Sequence, residues 1–274
     1  MLSILKTEWL KIKNYPAFWA MVGIVMLTYP GINILFLYVY RDITQSKEAA
    51  GTIVKLLMGN PFAFPETWRT VAFFSSFFIV LPAMLVIMLI TNEYHYKTHR
   101  QNIIDGWSRG QFITGKLLGV AIIAFVVMLA YIMVALGFGL YTNKVSVYRW
   151  YEQLEVIPLF FLQTFAQLSI AFLVGFLIKR AFIALGVFLF YNVIAENFLI
   201  GYLTYKNIPE RRFLPMEVSD RILVRPTFAA RFGVNAKTDF DTALSMVNQH
   251  VLLTILYTTV IWFLCYRLHA KKNI

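Results

Sequence analysis

Six stretches of this chain are too long and too apolar to be anything but membrane crossings. Residues 14–40, 70–92, 117–143, 156–178 and 242–266 contain no Asp, Glu, Lys or Arg, and residues 181–205 contain only Glu196. A helix needs roughly 20 apolar residues to cross about 30 Å of hydrocarbon, and every stretch meets that length. Lipid offers the backbone no hydrogen-bond partner, so each crossing has to satisfy its own amides as an α-helix. The expectation is an all-α integral membrane protein forming a single transmembrane domain over residues 1–274. Its spans fall at about 17–40, 70–92, 117–141, 156–178, 181–204 and 243–266.

Composition agrees with that class. Charged residues make up 14% of the chain, against about 25% in soluble domains. The net charge of +11 raises nucleic acid as a partner. However, the lysines and arginines lie scattered between apolar runs, where they act as topology determinants and lipid-phosphate contacts, so nucleic acid is not expected. The one cysteine, Cys265, sits inside the last run, which excludes an internal disulfide and a cysteine metal site.

Six crossings put both termini on one face. With the N-terminus inside, the inner segments hold 12 of the 25 Lys and Arg, so the raw count decides nothing. The positive-inside rule concerns short loops and span ends, and seven of the outer basic residues lie in the long 206–241 loop. The basic N-terminus, the Lys179-Arg180 turn and the basic tail share a face. Both termini are therefore expected to be cytoplasmic, in a multi-pass protein of the cytoplasmic membrane.

Before the first run, residues 1–14 place Leu2, Leu5, Trp9 and Ile12 on one stripe at 100° per residue, the pattern of an interfacial elbow helix. No small-x-small cleavage site follows, so a signal peptide is not expected. Pro16 turns the chain into the bilayer, and Pro30-Gly31 and Pro82 are expected to kink their spans. Gly115 and Gly119 form a GxxxG, whose physical use is close helix packing. The loop at 41–69, with Pro61, Pro65 and Trp68, reads as a cap over the first pair of spans. The 206–241 loop interleaves charges with Phe213, Leu214, Ile222, Leu223 and Phe228, which reads as short outer-surface helices.

Chemical motifs are few. There is no GxxxxGK[ST], HExxH or GxSxG, so ATP-driven work would need a second chain. His95 and His99 lie four apart near Glu93, a ligand-like spacing with no further ligand, and an ordinary polar helix is the expectation. Glu196 is the one acid inside a span, a candidate for substrate or gating work. It lies about 24 Å of helical rise from Arg180, near the outer interface, where it can also cap the outer loop. His250 sits near the outer end of the last span and is expected to hydrogen-bond a neighbouring helix.

Residues 92–116 read NEYHYKTHRQNIIDGWSRGQFITGK and form the one long polar segment on the inner face. Glu93 opens it, RQNIID fills its centre, Gly106 and Ser108-Arg109 break it, and Gly115-Lys116 leads into the next span. In this loop and in overall layout the chain resembles permeases of the six-span ABC exporter class (type V, ABC2-like). Such permeases have an N-terminal elbow helix, a short coupling helix between spans two and three, and helical insertions between spans five and six. Their loop runs from an acid through Gly-Thr and a helical block to Ser-Arg and then Gly-Lys. Glu93, Thr98, Ser108-Arg109 and Gly115-Lys116 occupy those places, while Lys97 stands where Gly is usual and Asp105-Gly106 where a proline often occurs.

The resemblance implies a coupling helix at roughly 93–105 resting in a groove of a separate ATPase. Its contacts would come from Glu93, Thr98, Arg100, Gln101, Ile104, Asp105 and Arg109, with Arg109 and Lys116 fixing the loop to headgroups or helix ends. It implies no catalytic residue, metal or cofactor in this chain, with ATP and Mg on the ABC ATPase subunits. The other partners are membrane lipids and a second copy or a similar permease. The expected function is export of a hydrophobic or amphipathic substrate such as a peptide antibiotic, lipid or drug. A membrane scaffold or sensor docking a signalling partner, and a secondary transporter, are the alternatives.

Overall fold

A computed structural model describes residues 2–45, 59–98, 101, 104, 106–142, 149–206, 208–228 and 236–270. Its helices, in chain order, are α1 (Leu2–Lys13), α2 (Pro16–Gln45), α3 (Glu66–Ser76), α4 (Val80–His95), α5 (Arg109–Thr142) and α6 (Val156–Ile178). They continue with α7 (Ala181–Leu189), α8 (Glu196–Tyr205), α9 (Pro215–Asp220), α10 (Ala236–Ser245) and α11 (Val247–Ala270). No strand occurs among the described residues. Five stretches are long and apolar enough to cross a membrane: α2, α5, α6, the continuous Ala181–Tyr205 and α11. The α3–α4 pair, bent by 50°, makes a sixth if taken as one crossing.

That break has a local cause. Pro82 has no N–H to give to the Phe78 carbonyl four residues back, and its ring crowds that carbonyl. The helix parts at residues 77–79, upstream of the proline itself, and tighter turns fill the gap: Leu81 donates to the Phe78 carbonyl at 3.0 Å. Pro30, by contrast, lies inside an unbroken α2. Ala181–Tyr205 is continuous but widens into a π turn over Phe190–Ala195, the kind of bulge that is frequent at functional sites. Asn197 Nδ2 takes up two of the loosened carbonyls, Asn192 O at 2.9 Å and Val193 O at 3.2 Å.

The bundle is built around α6, the most buried of the spans, which packs on α3, α4, α5, α7, α9 and α11. Lipid gives helices no hydrophobic reason to associate, so polar and aromatic contacts carry specificity. Trp262 Nε1 donates to Ser169 Oγ at 2.9 Å, and the Phe172 and Trp262 rings stack at 4.7 Å. On the opposite side of α6, Phe160 stacks on Tyr131 at 4.5 Å, and Tyr131 Oη donates to the Trp68 carbonyl at 2.9 Å.

The two ends of the bundle differ. At the elbow end, α1, the roots of the 92–116 loop, the Lys179 turn and the end of α11 meet. At the far end, Trp68 donates to the Trp150 carbonyl at 2.8 Å, and the Thr227 N–H donates to Glu66 Oε1 at 2.7 Å. The 206–241 segment folds into a 3₁₀ turn (Pro209–Phe213), α9 and α10. The last span begins at Val247, four residues after the expected position.

Candidate coupling site

Ser108 and Gln111 set where the third span starts. The Ser108 N–H donates to Gln111 Oε1 at 2.8 Å, and the Gln111 N–H donates to Ser108 Oγ at 3.2 Å. This reciprocal capping box nucleates α5 at Arg109, eight residues before the expected start. Gly115 and Lys116 therefore lie within the helix instead of in the loop. The Gly115-x-x-x-Gly119 face turns to the protein's own elbow helix. A Cβ on Gly115 would meet Ile4 at 3.2 Å and Glu8 Cγ at 3.4 Å, and one on Gly119 would meet Ile12 at 3.5 Å.

The elbow helix divides the expected interfacial stripe. Ile4, Glu8 and Ile12 are buried, while Leu5 and Trp9 stay exposed on the lipid side. Where the surroundings are lipid, the apolar stripe looks outward and the packed face can carry a charge.

Glu8 is the centre of a four-residue charge cluster. Lys116 Nζ donates to both Glu8 oxygens, at 2.9 and 2.8 Å, and also to Glu93 Oε1. Lys11 stands 3.1 Å from Glu8 Oε1 and 3.6 Å from Glu93 Oε1. Two acids and two lysines give a neutral cluster, and Lys116 is only 7% exposed. Lys116 thus binds carboxylates rather than headgroups. Burial alone would raise the pKa of Glu8, but the charges of Lys116 and Lys11 and their hydrogen bonds outweigh it and hold that carboxyl below its ordinary value. A cleft of about 40 Å³ lies beside the cluster, lined also by Val86, Ile90 and Ile123.

Beside this clasp the first root of the loop is tied twice more. Asn92 Nδ2 donates to Tyr15 Oη at 2.7 Å, and Lys179 stands 5.2 Å over the Tyr94 ring. Lys97 adopts a left-handed φ of 58°, and Gly106 one of 95°. Thr98, Gln101 and Ile104 are helical; Gln101 and Ile104 are exposed, Ile104 by 83%. Thr98 Oγ1 reaches the Glu93 carbonyl at 3.4 Å. Arg100 and Asp105 lie outside the described residues, as does His99. Glu93 belongs to α4 and not to a separate coupling helix, and Arg109 Nη1 donates to the Ala270 carbonyl at 2.8 Å. No group of three metal-ligating side chains occurs among the described residues.

All four members of the charge cluster lie inside one family match: the model for ABC-2 family transporter proteins covers residues 4–195. The chain belongs to that family. No curated protein matches it. An ABC-2 member is the membrane permease of an ABC transporter and has no ATPase of its own, so membership implies pairing with an ABC ATPase.

Glu196 lies one residue past the match, at the far end. It is buried, and its Oε1 accepts the Met216 N–H at 2.9 Å and the Glu217 N–H at 2.8 Å, holding the start of α9. His250 is buried nearby, and its Nδ1 has no hydrogen-bond partner among the described residues. Glu8, the centre of the clasp, was hidden in the sequence among the alternating charges of the elbow. The faint signal was one acid at i+4 from Ile4 and i−4 from Ile12.

Proposed function

We propose that this chain is the permease subunit of an ATP-driven exporter in the cytoplasmic membrane, with the 92–116 loop as the part that a separate ABC ATPase moves. The observation that carries the reading is Lys116 joining Glu8 and Glu93. Both roots of the loop are thereby fastened to the elbow helix. A push on the loop cannot be absorbed locally and passes to α1, α4 and α5 together. Closure of two ATPase subunits on ATP, with Mg held there, supplies the push and re-packs the spans.

In this reading both termini are cytoplasmic. The cargo is hydrophobic or amphipathic (a peptide antibiotic, lipid or drug), in keeping with aromatic, charge-poor spans. The second permease copy sits against Ala181–Tyr205, the least buried span, which leaves Phe182, Phe190 and Phe198 exposed. Arg100, Gln101, Ile104 and Asp105 make the ATPase contacts.

Arg100→Glu combined with Asp105→Arg, and separately Ile104→Glu, are expected to lower co-purified ATPase by about fivefold or more, the loss of one interface anchor. Substrate-stimulated hydrolysis should fall with it while the permease stays folded in the membrane. Unchanged recovery and stimulation in both variants would remove the loop from the coupling surface.

A further inference from the structure

An open groove of about 540 Å³ runs along the elbow-side half of α11, walled by Leu117 of α5 and Phe165 of α6. Its α11 wall is formed by Thr258, Thr259, Trp262 and Phe263, and Tyr266, Arg267 and Ala270 close its elbow end. The polar atoms along it are already engaged. Thr258 and Thr259 hydroxyls donate to the carbonyls of Thr254 and Ile255, at 2.8 and 2.7 Å, and the Trp262 N–H is held by Ser169. At the end, Tyr266 Oη donates to the Gly110 carbonyl at 2.9 Å and shares a hydrogen bond with Thr114. The groove therefore presents carbon along its length.

Arg267 is the exception. Its guanidinium is exposed, stands 5.4 Å from the Phe263 ring centroid, and has no carboxylate within ion-pair distance among the described residues. Arg109 reaches the same end of the groove, donating to the carbonyl of Ala270. Both lie where the polar 92–116 loop meets the apolar spans, which is the level of lipid phosphates.

We propose that this groove is a binding site for a resident glycerophospholipid, one acyl chain lying along α11 and the phosphate held by Arg267 with Arg109 alongside. The site has one apolar arm, one cationic end and no acid in its lining, the complement of a tail joined to an anion. An inserted peptide would bring backbone groups, and these walls have no free donor or acceptor for them. The lipid fastens the start of α5 to the end of α11, on the opposite side of α5 from the elbow clasp. The inference needs only that the protein spans a membrane; it does not depend on the direction of transport or on the ATPase contacts.

The test is native mass spectrometry of the full-length permease, delipidated in mild detergent and titrated with phosphatidylglycerol. Wild type should keep one lipid more tightly than the rest. Arg267→Gln should weaken that binding by about five- to tenfold, the loss of one basic contact at the interface. Thr259→Trp, which fills the slot from an exposed position, should abolish it, while Arg211→Gln at the far end should leave it unchanged. A photoreactive acyl chain should label Thr259 or Phe263. Affinity within twofold of wild type in both groove variants would overturn the site. So would a cross-link through position 263 to a second copy.

Discussion

At the residue scale, Lys116 is held by arithmetic that its own position does not reveal. A lysine seven residues into a span is ordinarily explained by a stem reaching back to headgroups. Here two carboxylates lie within reach, and satisfying both is worth more than returning to water. Breaking one side of a buried pair is expensive because it leaves the other charge uncompensated, roughly 3–5 kcal/mol. Lys116→Met is therefore expected to destabilise the detergent-solubilised permease by about 3 kcal/mol or more in thermal unfolding. The triple variant Glu8→Gln, Glu93→Gln, Lys116→Met removes every unbalanced charge except Lys11, which is one-third exposed and can turn to water. It should recover most of the loss. A single variant as stable as wild type would mean that the cluster holds nothing together.

At the element scale, the clasp exists because α5 is smooth where α1 crosses it. Gly115→Val would put methyls into Ile4 and Trp107, whose nearest atoms already stand 3.2 and 3.3 Å from the site of a Cβ. Overpacking of that kind costs about 1–3 kcal/mol, and the yielding partner is the short elbow. Faster hydrogen exchange at residues 4–13 is expected in this variant. It should be absent in Gly137→Val, on the same helix, where a Cβ meets nothing within 4 Å. Equal protection of the elbow in both variants would refute the packing role.

The same elements show what the sequence could and could not disclose. α6 occupies residues 156–178 as read, because a charge-free run is bounded by the physics of the bilayer alone. The start of α5 was misplaced because Arg109, Gln111 and Lys116 look like loop to a hydropathy count. The Ser108-x-x-Gln111 box was the overlooked signal. The elbow's interfacial stripe was legible in the sequence, but the face that packs on α5, with Ile4 and Glu8 beside Ile12, was not. The pairing of Glu8 with Lys116 spans 108 positions, and no periodicity encodes a contact made by the crossing of two helices.

At the scale of the whole molecule, the two ends carry carboxylates of opposite habit. Glu8 is held below its ordinary value of 4.5 by two lysines, so the elbow clasp is complete above that pH. It is lost only as pH falls through the lower, folded value. Asp220, at the end of α9, accepts from Gln163 and Gln167 of α6 at 2.8 and 2.7 Å, with Glu217, Ser219 and Arg221 on its own segment and Glu196 across from it. Burial pushes its pKa from 3.8 up to about 6. Its contribution is full below 3.8 and fades as pH rises through about 6. Acidification from pH 8 to pH 5 should therefore tighten the 209–224 segment and leave the elbow unchanged, whereas a further drop below 4.5 should loosen the elbow. Hydrogen exchange corrected for the intrinsic pH effect reads both ends in one experiment. Asp220→Asn is expected to abolish the far-end response alone. A response that persists in this variant would end the role given to Asp220.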